Sequence, residues 1–114
     1  MNKVFAFGIV SVMSLSAFAT EYERESTVTG YVAFGKARPG LEKSQNVFRV
    51  YIAPVSWSSC RTDAVDIPGQ DRMLQAALLS ALAKDRNTVK ITVDDSLKPV
   101  DDTCQVTAID ARLQ

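Results

Sequence analysis

Apolar and polar residues alternate with a period of two through several stretches of the chain, the pattern of strands with one face toward a core. In Thr27 to Phe34, Val28, Gly30, Val32 and Phe34 share one face, and Thr27, Thr29, Tyr31 and Ala33 the other. In Val47 to Ala53, Phe48, Val50 and Ile52 oppose Val47, Arg49 and Tyr51. A short third strand, Thr62 to Pro68, sets Val65 and Ile67 on one side, and in a fourth, Thr88 to Asp94, Val89, Ile91 and Val93 oppose Thr88, Lys90 and Thr92. A fifth is predicted from about Cys104 to Leu113, where Val106, Ala108, Ile109 and Ala111 change parity as a bulged strand does. Gly30, on the inward face by this reading, leaves a gap where the first strand can bend sharply. The acidic Glu21 to Glu25 ahead of it reads as a frayed end. Pro39-Gly40, Pro54, Pro68-Gly69 and the polar stretch from Asp94 to Thr103 mark the loops and strand ends.

From about Gln70 to Arg86 the period becomes helical. Asp71 suits the positive N-terminal end of a helix, Lys84 and Arg86 the negative C-terminal end, and Asn87 a left-handed exit. At 100 degrees per residue, Leu74, Leu78 and Leu82 form one stripe flanked by Ala77 and Ala81, which is the predicted core face. The opposite side carries Met73, Ala76, Leu79, Ser80 and Ala83, where a helix facing only water would carry charges. Two readings fit this second face. Either loops cover it, or alanine serves helix propensity there; or Met73, Ala76, Leu79 and Ala83 form a contact between copies of the chain, the small residues permitting close approach.

The predicted order is three strands, one helix, two strands. Five short strands leave open edges unless the sheet closes on itself, so the expected architecture is mainly β with one α-helix, a five-stranded Greek-key barrel of the OB type. An open sheet with the helix across one face is the alternative.

The first nineteen residues change the picture of where this barrel works. They combine Lys3, an apolar run from Val4 to about Val12 and the small-residue site Ala17-Phe18-Ala19, the three parts of a secretory signal. Ser11, Ser14 and Ser16 interrupt the run, which is too short for a membrane anchor of roughly 20 apolar residues. Cleavage after Ala19 leaves about 95 residues, room for a single domain with one modest core. Across the chain 13 cations balance 13 anions, and loss of Lys3 tips the remainder to about minus one. A phosphate backbone needs the opposite sign, so no nucleic-acid partner is expected. In an oxidising compartment Cys60 and Cys104 are expected to bond. Closing that long loop stabilises by roughly 4 kcal/mol on the chain-entropy model.

Candidate chemistry is sparse. The chain has no histidine, which excludes Ser/His and Cys/His nucleophile arrangements, and the two cysteines lack the spacing of a redox or zinc pair. Among its 13 acidic residues no carboxylate pair sits in a recognisable catalytic motif. No catalytic residue, cofactor or metal is therefore expected. Asp94, Asp95, Asp101 and Asp102 offer hard oxygens but not the spacing of a calcium loop, and read as a solvated acidic turn. Trp57, between Ser56 and Ser58, admits two readings: an indole stacking on a sugar face with hydroxyls beside it, or a partly buried core residue.

The succession of two strands, "WSSC", a third strand ending in Ile-Pro, the helix "MLQAALLSALA", then "KDRNTVKITV" and a late cysteine before the last strand resembles small secreted bacterial proteins related to the subtilase cytotoxin B subunit. The resemblance spans about Val28 to Arg112 and lies in layout and hydrophobic pattern. It implies an OB-fold assembling as a pentamer with helices along the central axis, and a glycan-binding module without catalytic activity of its own. In pertussis-like and subtilase B subunits a serine near the first strand contacts the terminal sugar, which here points to Ser26 or Thr27. The aromatic-rich segment that follows the fourth strand in those subunits is replaced by the acidic "DDSLKPVDD". The expectation is an exported, periplasmic or secreted binding module whose partners are a glycan, another secreted protein or copies of itself. The alternative is a periplasmic protein-interaction or inhibitor protein that binds no glycan.

Overall fold

The computed structural model describes residues 21–37, 39–40, 45–57, 59–97 and 102–112. The stretch read as a secretory signal, Ser58 and Asp101 lie outside the described residues. Five strands, β1 (Glu21–Phe34), β2 (Val47–Ile52), β3 (Ala64–Pro68), β4 (Thr88–Asp94) and β5 (Gln105–Asp110), and one helix, α1 (Arg72–Ala83), follow in the order β-β-β-α-β-β. The strands close into a barrel, β1-β2-β3-β5-β4 and back to β1. The fold is OB-like, as the alternation predicts, and not an open sheet. All pairs are antiparallel except β3 with β5, which meet at Asp66 and Gln105.

β1 closes the ring because it is long enough to serve two neighbours. Glu21 to Thr27 pair with β4 and Val28 to Phe34 with β2. The acidic segment Glu21–Glu25 is therefore strand and not a frayed end: every residue of it has a partner on β4, from Glu21 opposite Asp94 to Glu25 opposite Lys90. The handover lies at Thr27 and Val28, where Val28 N–H donates to the Asn87 carbonyl and Ala53 N–H to the Thr27 carbonyl.

Immediately after the handover Thr29 is an extra residue. Val28 faces Ile52 and Gly30 already faces Tyr51, so the strand bulges there. A bulge exchanges the two faces. Tyr31 and Ala33 consequently share the face of Val50 and Phe48 while staying exposed themselves, and Tyr31 stacks on Phe48 with centroids 5.1 Å apart. Gly30, Val32 and Phe34 turn outward, against the expectation of one inward row from Val28 to Phe34. A second bulge, at Thr107 of β5, carries Val106 inward opposite Val93 and Ile109 inward opposite Ile91 while Ala108 faces out. This is the parity change visible in the sequence.

The helix is shorter than the periodic stretch. Asp71 caps it by accepting from Leu74 N–H, and Gln75 donates to the carbonyls of Pro68 and Gly69. The left-handed exit falls at Asp85 (φ 59°), not Asn87, because the Asp85 and Arg86 amides fold back to the Leu82 and Ala81 carbonyls. Leu78 and Ala81 are buried in one contiguous core with Val28, Phe48, Val50, Ile52, Val65, Ile67, Val89, Ile91, Val93 and Val106, and Leu74 and Leu82 pack at its margin. Gly69 is held to its identity by a close approach: a Cβ there would collide with the side chain and carbonyl of Asn46, whose carbonyl accepts from Gly69 N–H.

Candidate functional site

The sequence-predicted residues fall into three places. Cys60 and Cys104 are bonded, with Cα atoms 5.6 Å apart, and both are buried. The bond ties the start of β5 to the segment between β2 and β3, and the same junction is held by Arg61 N–H on the Asp102 carbonyl and Asp66 N–H on the Cys104 carbonyl.

The residues read as sugar contacts are divided by the barrel wall. Ser26 lies opposite the core residue Val89, is itself buried, and donates its hydroxyl to the Arg24 carbonyl. Thr27 faces outward, its hydroxyl 3.2 Å from that of Thr88. Trp57 is fully buried in the core (0% exposed), and its indole N–H has no acceptor among the described residues. A ring so placed has no face on which a sugar could stack, so the core reading of Trp57 holds. Ser56 is exposed.

Met73, Ala76, Leu79 and Ala83 all lie on the exposed side of α1, with Met73 82% and Leu79 38% exposed. The helix thus seals the core with one stripe and shows to the outside a mostly apolar one that begins at the exposed Arg72. The acidic loop departs from a solvated turn at one position. Asp94 is buried and accepts from both the amide and the hydroxyl of Ser96, closing a side-chain turn. Among the described residues no group of three or more acids, cysteines or histidines could hold a metal ion.

Two features were not legible beforehand. The first is on the outer face of β2 and β3. Arg49 donates from Nε and Nη2 to both oxygens of Asp66, at 2.9 and 3.1 Å, and from Nη2 to the Thr103 hydroxyl at 3.2 Å. Asp66 and Thr103 are fully buried there. The hydrogen bond to Asp66 raises the Arg49 guanidinium further above its ordinary value, against the desolvation that would lower it. Around this pair the outer face alternates rings and guanidiniums, with Arg49 6.0 Å from the Phe34 centroid and Arg61 5.9 Å from that of Tyr51. Arg61 is held by Asp63, whose carboxyl it keeps below the usual value.

The second is concave. A cleft of about 620 Å³ opens between the outer face of β1, β4 and β5 and the exit of α1, lined by Glu25, Arg86, Thr88, Lys90, Asp110 and Arg112 among others. A neighbouring cleft of about 430 Å³, against Ala77, Ser80 and Lys84 of the helix side, shares Arg86, Asp110, Ala111 and Arg112 with it. Register explains the grouping: Glu25 lies opposite Lys90, and Lys90 opposite Asp110, one row across three strands. Arg112 grips both oxygens of Asp110 at 2.7 to 3.1 Å and holds that carboxyl below its usual value. In the sequence these residues are scattered from 25 to 112 and carry no motif.

Comparison of the chain with protein-family models, curated proteins and solved structures returns no match.

Proposed function

We propose that the chain is an exported, non-catalytic binding module of the toxin-B-subunit kind, working as a homo-oligomer through the outer face of α1 and recognising glycans. The observation that carries this reading is the two-sidedness of the helix. Leu78 and Ala81 are buried in the barrel core, while Met73, Ala76, Leu79 and Ala83 lie exposed on the other side, with Arg72 at its start the charge in line with them. Removing such side chains from water is favourable by roughly 25 cal/mol per Å², and the alanines let a second helix come close. The OB-like barrel and the Cys60–Cys104 bond support an extracytoplasmic module of the kind the resemblance implies.

Burial of Ser26 and Trp57 favours a second reading, in which the exposed helix meets another secreted protein and no glycan is bound. Light scattering, combined with a glycan array, separates the two. The wild type should be oligomeric at roughly tens of micromolar. Ala76→Glu should split it into folded monomers, since a charge buried unpaired in the contact is costly. Leu78→Ala should instead destabilise each subunit by about 2 to 5 kcal/mol. A monomeric wild type, or an Ala76→Glu protein as associated as wild type, refutes self-association through this face. An oligomer that retains no glycan leaves the protein-contact reading.

A further inference from the structure

We propose that the cleft between the outer face of β1, β4 and β5 and the exit of α1 is a recognition site for a small ligand carrying one anionic group, a carboxylate or a phosphate, beside hydroxyl groups. The chain as a whole balances its charges, but this concavity does not. Arg86, Lys90 and Arg112 line it against Glu25 and Asp110, and Lys84 stands on its helix side. Three cations face two acids along the larger cleft, with Lys90 between Glu25 and Asp110, and Lys84 adds a cation on the helix side. Asp110 is engaged bidentately by the exposed Arg112, which offsets the charge of the carboxylate. Arg86 and Lys90 make no ion pair among the described residues. Arg86 is half-buried.

Two such cations converging on a recess, beside a third paired with a carboxylate, form a positive field in which an anion exchanges water for charge-assisted hydrogen bonds. The recess, at about 620 Å³, has the size of small-molecule sites. Hydroxyl recognition has its own groups: Thr88, whose hydroxyl already meets that of Thr27, and the Glu25 carboxylate as acceptor. The larger cleft includes none of the proposed oligomer residues, while the neighbouring one reaches the outer side of α1 at Ser80.

The test titrates the ¹⁵N-labelled, disulfide-bonded chain at fixed ionic strength with inorganic phosphate, with glucuronate, and with glucose as the neutral control. Both anions should give saturable amide shifts confined to residues 86–90 and 110–112, each should displace the other, and glucose should give none. Arg86→Gln and Lys90→Gln should each weaken binding about ten-fold, with the thermal midpoint unchanged. Tighter binding of glucuronate assigns the site to acidic sugars, and tighter binding of phosphate to phosphate esters. Absence of saturable shifts with both anions, shifts spread over surface lysines such as Lys36, or variants that bind as wild type would overturn the proposal.

Discussion

Removing Arg49 isolates the one buried charge pair among the described residues. Asp66 has no solvent exposure, and the Arg49 side chain only 11%. Arg49→Met keeps the length of the aliphatic stem but takes two hydrogen bonds and the counter-charge from a carboxylate that water cannot reach. Breaking a buried pair on one side costs about 3 to 5 kcal/mol, because the remaining charge loses its counter-charge in a poor solvent. Thr103, which receives a third N–H from Arg49, loses that donor as well. The double variant Arg49→Met/Asp66→Leu should recover most of the loss, since an apolar pair of similar volume has no charge to desolvate. The assay is equilibrium unfolding in urea with the disulfide intact, followed by the emission of Trp57, which is fully buried when folded and exposed when not. Two results refute the reasoning: a loss below about 1 kcal/mol for Arg49→Met, which would put the pair in effective contact with solvent, or a double variant that loses more than the single.

Two further predictions follow the same logic. Cys60→Ser should lower stability by about 2 to 5 kcal/mol, read by the same unfolding curve, and thiol labelling of the denatured, unreduced wild type should find no free cysteine; two labelled thiols would rule the bond out. The Asp110 carboxyl is held below its ordinary 3.8 by the hydrogen bonds from Arg112, so its pairing contributes fully above that value and is lost as pH falls through the depressed one. In an NMR pH titration Arg112→Gln should move the Asp110 transition up toward 3.8, and an unshifted wild-type transition would mean the pair does not persist in solution.

The alternation of residues was enough to place every strand and the helix, because a half-buried strand repeats every two residues whatever it pairs with. Val89, Ile91 and Val93 are all inward as read. The same local logic failed at Thr29. A bulge costs one residue of pairing and flips a face, and only the partner strand shows where the extra residue is accommodated. It failed again for the length of β1. Glu21–Glu25 reads as a solvated end until β4 is laid beside it, because an edge segment of charged residues has no hydrophobic signature of its own.

Sequence alone therefore determined the order of elements along the chain, the inward stripe of Leu74, Leu78 and Leu82, and the pairing of the only two cysteines, each a property of short-range periodicity or of count. Tertiary structure decided what the chain can present. It put Ser26 and Trp57 inside, joined Arg49 to Asp66 across neighbouring strands, and gathered Glu25, Lys90 and Asp110 into one row beside Arg86 and Arg112. The reason is that a site is made of side chains brought together by register, and register is an energy of the whole sheet. No window of the sequence contains it.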